Sequence, residues 1–251
     1  ALASALAATR CDIYTDVQGV FSADPAIVPT AKLLTSISAA EMLEMATSGA
    51  KVLHGRSVEL AMAKNLPVRV LSSFAPGEGT LITPENDGPG LETHLVSGVT
   101  YSRDESRISL FELDASPDIA SLLFSALAEQ QINVDMMVQS TSGTADSNTL
   151  VFATARNHHQ AAIDLLQQPK IARYYQRMET AKTMAKVSVI GLGLRSQTGM
   201  ARIFFAALQK ADIVMDVVAT SELRISALID ETHVEPAVQA LHFAYGLDRK
   251  T

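Results

Sequence analysis

The chain has 251 residues, 47% of them hydrophobic and 19% charged, and a formal net charge of −7. That length holds either two modest domains or one large one, with a sizeable core, and the composition is that of an ordinary globular protein. The acidic balance, with no Lys/Arg run and no Trp, argues against a nucleic-acid or anionic-membrane surface, since either needs a basic patch.

No apolar run reaches the ~18 residues that a membrane span requires. The single cysteine, Cys11, excludes an intrachain disulfide, fits a reducing cytoplasm, and reads as a small apolar strand residue rather than a reactive thiol. The opening run Ala1-Leu2-Ala3-Ser4-Ala5-Leu6-Ala7-Ala8 lacks a basic leader and is too short for a signal peptide. It begins at Ala and reads as a helix caught midway, so the chain is expected to be a fragment of a longer protein.

An apolar strand runs from Cys11 into Tyr14-Thr15-Asp16, followed by a turn at Gly19 and an Asp24-Pro25 turn. Nucleotide-side loops at strand ends are built this way. Ser38 with Glu41 three residues on predicts a capping box, for a helix that stops at Gly49. Lys51, beyond Gly49-Ala50, is placed to reach a phosphate. A second helix is predicted over Arg56–Asn65, a strand over Pro67–Phe74 and a short closing strand over Gly79–Thr83. Alternating helices and strands predict an α/β layer architecture. Pro84-Glu85-Asn86-Asp87-Gly88-Pro89-Gly90 has linker composition, and the domain boundary is placed there.

Beyond the linker lies an internal repeat. Phe124-Ser125-Ala126-Leu127 through Asp135-Met136-Met137-Val138 matches Phe205-Ala206-Ala207-Leu208 through Asp216-Val217-Val218-Ala219, at an offset of about 81 residues, which suits a duplicated small domain. Each copy opens with a strand (Arg107–Phe111; Lys186–Ile190), passes through a loop into an amphipathic helix and returns as a strand. Further strands are predicted at Thr149–Phe152 and Leu223–Ile229, and helices at His158–Gln167 and Val234–Phe243. The order βαββα approaches the split βαβ, ferredoxin-like arrangement.

Tyr14–Pro25, Ile37–Glu44 and Gly49–His54 closely resemble the C-terminal end of the aspartate kinase catalytic domain. The phrases Ile132-Asn133-Val134-Asp135-Met136-Met137-Val138-Gln139, Ala185–Gly191 and Thr220–Ser226 resemble the paired ACT domains that follow it. The resemblance spans nearly the whole chain, in the family's order. It implies the end of an amino-acid-kinase α/β sandwich at 1–83, a linker at 84–94, and two ferredoxin-like βαββαβ ACT domains at 95–182 and 183–251. The implied activity is ATP-dependent phosphorylation of the L-aspartate side-chain carboxylate, with Mg²⁺, in the cytoplasm. It is the first step toward lysine, threonine and methionine. The alternative is a non-catalytic ACT-domain regulatory subunit that pairs with a catalytic chain.

By this resemblance Thr15, Asp16 and Phe21 lie against the nucleotide and Lys51 reaches its phosphates. From residue types alone, Asp16 and Asp24 are ordinary Asx-turn formers and Lys51 a solvated charge. Three departures from the family pattern imply weaker ATP binding: Phe21 for Tyr, Ala26 for Arg, and Gly55 for the Pro after His54. The family's Lys-Phe-Gly-Gly and Gly-Gly-Ser-Asp motifs have no counterpart here, so the chain alone is expected to be inactive.

For the ACT pair, the resemblance implies homo-oligomerisation and lysine or threonine as effector. In the first copy the implied effector residues are Asp114, Pro117, Asp118, Ile119, Asn133, Asp135 and Gln139. Ser116 is the expected N-cap, and Pro117 the first helical residue. In the second they are Arg195, Ser196, Asp216, Thr220 and Ser221, with Gly199 in the same loop. Asp118 replaces a Gly and Val214 an Asn, which implies weakened or altered inhibition. Gly191-Leu192-Gly193 resembles a dinucleotide fingerprint only superficially, because its third Gly is late. His158 and His159 read as surface polar residues, and Met136, Met137 and Met215 as core.

Overall fold

The computed structural model describes residues 1–84, 95–114, 118–141 and 148–249, without the side chains of 195 and 196. The first lobe runs α1 (Leu2–Ala5), β1 (Cys11–Thr15), β2 (Ser36–Ser38), α2 (Ala39–Thr47), α3 (Gly55–Ala63), β3 (Val68–Ser72) and β4 (Thr80–Thr83). Its sheet has the order β1-β3-β4-β2. β1 pairs parallel with β3 and β2 with β4, while β3 and β4 are antiparallel. Met42, Met45, Val58 and Ala61 from the two helices pack on Ile37, Val70 and Ile82 of the strands. The capping box forms: Glu41 N donates to Ser38 Oγ at 3.2 Å, and Ser38 N to Glu41 Oε2 at 3.3 Å.

The rest of the chain continues β5 (Gly98–Phe111), α4 (Ile119–Glu129), β6 (Val134–Ser140), β7 (Thr149–Ala155), α5 (His159–Leu166), α6 (Pro169–Ala172) and β8 (Arg177–Ile190). It then runs α7 (Gly193–Ser196), α8 (Met200–Lys210), β9 (Val217–Thr220), β10 (Arg224–Asp230) and α9 (Val234–Ala244). One antiparallel sheet of order β6-β7-β5-β8-β10-β9 carries both copies of the repeat.

β5 and β8 are each 14 residues long and serve both copies. Glu105–Phe111 of β5 pairs with β7 and with the first half of β8, completing the first copy. Gly98–Ser102 pairs with Lys186–Ile190, whose other edge holds β10. The fourth strand of the second copy is therefore supplied from ahead of the first copy.

Two separate cores result. Ile108, Leu110, Leu123, Leu127, Phe152 and Leu166 fill the first. Val187, Val189, Phe204, Leu208, Ile225 and Leu241 fill the second. After α4 and α8, Gln131 (φ +57°) and Asp212 (φ +56°) occupy the same repeat position in the left-handed region. There Ile132 N returns to Leu127 O and Ile213 N to Leu208 O, both at 3.0 Å. This is the Schellman termination, made twice.

Several sequence expectations need correction. The helix of the first effector loop begins at Ile119 with Asp118 at the N-cap position, where its side chain makes no capping bond. The expected N-cap Ser116 and helix-start Pro117 lie outside the described residues, as does 85–94 of the linker. Met137 is 54% exposed rather than core, because β6 is an edge strand with a register shift between Asp135 and Val138. His159 is buried in α5 rather than on the surface. Arg195 and Ser196 lie on the one-turn helix α7, not in an irregular loop.

Candidate functional site

Thr15 ends β1, and its hydroxyl donates to Asp16 Oδ1 at 3.0 Å while its carbonyl accepts Ser73 N at 2.8 Å. Asp16 is exposed. The chain then turns at Gly19 (φ +152°), where a Cβ would lie 2.5 Å from Thr80 Oγ1. Thr80 takes the N–H of Val20 at 2.8 Å and donates to Leu34 O at 2.6 Å, fixing both ends of the loop. Phe21, half-buried, bridges Leu33 within it. Asp24 Oδ1 accepts Ala26 N at 2.9 Å, so Asp24 forms the Asx turn its residue type suggested.

Lys51 is exposed, past the C-terminal end of α2. β2 runs opposite to β1 in the sheet, and α2 starts at the end of β2 and packs back over β2 and β4. That path returns Gly49 and Lys51 toward the sheet end where β1 finishes. A surface depression of about 470 Å³ is lined by Tyr14, Ser72, Phe74 and Pro76, and by none of Thr15, Asp16, Phe21 or Lys51.

The second copy of the repeat grips this region at several points. Tyr101 of β5 donates its hydroxyl to Asp24 Oδ2 at 2.9 Å, and burial together with that bond raises its pKa. Its carbonyl lies 1.9 Å from where a Cβ on Gly49 (φ +113°) would sit, so only glycine fits the turn before Lys51. Ser22 Oγ lies 2.9 Å from His242 Nε2 on α9, and Gln239 Nε2 donates to Ile27 O at 3.0 Å. Burial lowers the pKa of His242, Asp248 opposes that, and Lys32 adds to it. A cavity of about 200 Å³ remains beside this contact, lined by Ile27, Pro29, Gln239, His242 and Asp248.

On the other side, fully buried Glu41 accepts from Ser97 Oγ at 2.6 Å and from Leu192 N at 3.2 Å. Arg224 reaches Glu44 at 3.2 Å and Ser48 at 3.3 Å. Gly191 and Gly193 serve close approach to the backbone of Leu95 and Val96, not a dinucleotide. Ser22, Glu41, Tyr101 and His242 were not singled out from sequence as site residues. The available signal was a histidine at helical spacing on the apolar face of Val234, Val238 and Leu241.

The residues expected to hold an effector in the first copy are dispersed in role. Asp114 N donates to Tyr174 O at 3.0 Å, Asp118 is exposed, and Ile119 is buried in the core. Pro117 is outside the described residues. Asn133 and Gln139 are exposed, with Asn133 O accepting Thr154 Oγ1 at 2.8 Å. In the second copy Thr220 and Ser221 are exposed at the β9–β10 turn, with Ser221 N bonded to Arg224 O at 2.8 Å. Val214 is 75% exposed.

Asp135 and Asp216, equivalent in the repeat, are joined across the copies. Lys186 Nζ of the second copy's first strand meets Asp135 Oδ2 at 2.6 Å. Arg107 of the first copy's first strand meets Asp216 at 2.8 Å. Burial works to raise the pKa of Asp135, but the bonded ammonium outweighs it and the net shift is downward. Glu105, 3.6 Å from the same ammonium, is instead pushed up by burial that Lys186 only partly offsets.

An α/β lobe joined to a duplicated antiparallel α+β module, whose two copies share the long strands β5 and β8, is the class these observations define. The amino acid kinase family profile matches residues 1–72 and an ACT domain profile matches residues 187–245. The chain is 40% identical to the aspartokinase of Pseudomonas aeruginosa over 250 residues, 99% of this chain and 60% of that one. The solved Escherichia coli aspartokinase III superposes with a TM-score of 0.80 and 29% identity, over 97% of this chain and 54% of that one. The regulatory subunit of aspartate kinase from Thermus flavus aligns at 32% identity and TM-score 0.56, over 60% of this chain and 99% of that one. The chain belongs to the aspartate kinase family. It spans about 60% of the length of the curated aspartokinases it matches.

Proposed function

We propose that this chain carries the nucleotide-side end and the regulatory region of an aspartate kinase, which transfers the ATP γ-phosphate to the side-chain carboxylate of L-aspartate. The observation that supports it best is the match to P. aeruginosa aspartokinase, in order, across 99% of the chain. The E. coli enzyme has been solved with aspartate and ADP, and with lysine and aspartate. On this reading 1–83 ends the catalytic domain, 84–94 links, and 95–182 and 183–251 are the ACT domains, the second completed by Gly98–Ser102 from the first stretch. Asp16 accepts hydrogen bonds from ribose or base, Phe21 stacks, Thr15 orients Asp16, and Lys51 offsets phosphate charge. Mg²⁺ enters on the nucleotide phosphates. Among the described residues no group of three or more His, Cys, Asp or Glu could hold a metal ion.

Lysine or threonine is the proposed effector, bound at Asp114, Asp118 and the Asn133–Gln139 strand. The carboxylate of Asp118 opposes an effector carboxylate there. Association is through the ACT domains, in the cytoplasm. No helix among the described residues is long and apolar enough to cross a membrane. A second reading, a regulatory subunit paired with a catalytic chain, draws on the near-complete coverage of the Thermus flavus regulatory subunit. The amino acid kinase match at 1–72 favours the first reading.

ADP titration of the purified chain tests the assignment. Lys51→Ala is expected to weaken ADP binding about tenfold or more, the loss of one charge-assisted phosphate contact. Affinity unchanged in that variant would sink the role of Lys51. Aspartate-dependent ADP release from ATP is expected to stay at background.

A further inference from the structure

We propose that His242 is a positioning residue: through Ser22 it sets the conformation of the 20–32 loop, making the second regulatory copy part of the nucleotide-side wall. The consequence for nucleotide rests on the functional reading above; the positioning itself rests on geometry alone.

Ser22 is 2% exposed and sits at a crossing of three segments. Its N–H donates to Lys32 O at 2.8 Å and its Oγ accepts Lys32 N at 2.9 Å, closing the loop on itself. Its carbonyl accepts Val99 N at 2.8 Å, from the strand that completes the second copy. A Cβ on Gly98 would come within 2.7 Å of that carbonyl, so the approach is tight. The remaining polar contact of Ser22 is His242 Nε2, itself 1% exposed. Phe21 is the adjacent residue, bridged to Leu33, and the direction of its Cα–Cβ bond depends on how the backbone there is held.

The loop belongs energetically to the second copy. Ala23, Ile27 and Val28 are members of its core, with Phe204, Val238 and Leu241. Tyr101 to Asp24 and Gln239 to Ile27 hold the same segment from two other elements. A movement of α9 against the sheet therefore carries Ser22 with it. One buried and two part-buried polar contacts, with a shared apolar core, hold the loop to the second copy.

Amide hydrogen exchange on the 251-residue chain tests this, with ADP titration beside it. His242→Leu keeps the bulk and removes the hydrogen bond; His242→Gln restores a polar partner for Ser22. Loss of one buried hydrogen bond is expected to speed exchange at Ser22, Ile27, Val28 and Lys32 about tenfold in H242L, with H242Q within about threefold of the parent. Protection in β10 and β3 stays at the parental level. ADP affinity falls in H242L and recovers in H242Q. Tyr101→Phe, which removes the Asp24 contact, loosens the same amides and guards against a misfolded H242L.

Unchanged loop exchange in H242L and Y101F overturns the proposal. So does acceleration shared equally by β10 and β3, which marks a merely structural role. ADP affinity that holds in H242L while the loop loosens also overturns it. If the parent chain binds no ADP, the nucleotide reading fails, and the exchange result alone decides the positioning.

Discussion

Among the described residues two imidazoles are held in the interior, His242 at 1% exposure and His159 at 6%. Burial lowers the pKa of both, with Lys182 adding to it at His159. At His242, Asp248 beyond the helix end pulls the other way and Lys32 from the loop adds to burial. An unfolded histidine titrates near about 6.5, so below that pH the unfolded chain takes up protons the folded chain resists. Their contribution to stability is full above about pH 6.5 and is lost as pH falls toward the folded pKa values. The urea midpoint is accordingly expected to drop between pH 7 and pH 5.5, and less steeply in His242→Gln or His159→Gln. The two effects add, since the residues lie in different copies. A pH slope identical in parent and double variant contradicts this.

At the scale of elements, the crossed ion pairs tie β8 to β6 and β5 to the start of β9. They are related by the repeat but differ in burial: the Lys186 side chain is 5% exposed and that of Arg107 23%. Removing Lys186 takes away the ammonium that both Asp135 and Glu105 contact. Lys186→Met is expected to cost roughly 3 kcal/mol, against about 1 kcal/mol for Arg107→Met. Denaturant unfolding of the two variants measures it, and equal losses would show that burial does not distinguish the pairs. The single elements were legible where local chemistry dictates them. Ser38 and Glu41 gave the capping box, and Gly49 the stop of α2, because those bonds close within a few residues. The double-length strands were not legible. Tyr101–Ser106 and Arg177–Lys182 are too polar to read as strands, and they pair only because a second copy lies alongside. The same holds for Glu41, whose outer oxygen is used by Ser97 and Leu192, far along the chain.

For the whole molecule, the interlocking of β5 means that sequence order and structural unit diverge. Val99 and Thr100 precede the first copy but pair with Val189 and Ser188 in the second, while Ser109 pairs with Val151 in the first. A proline in a central strand removes a ladder bond and is tolerated essentially only at edges and bulges. Thr100→Pro is therefore expected to strip exchange protection from β9, β10 and the 20–32 loop while β7 keeps its own. Ser109→Pro should do the reverse, loosening β7 and β6 and sparing β10. The damage in Thr100→Pro reaches the loop because Val99 N is bonded to Ser22 O, so a lesion in the regulatory sheet is read in the kinase lobe. If Thr100→Pro instead unfolds β7 together with β10, the two copies form one cooperative unit. A displacement of the second copy could then not reach the 20–32 loop without disturbing the first copy.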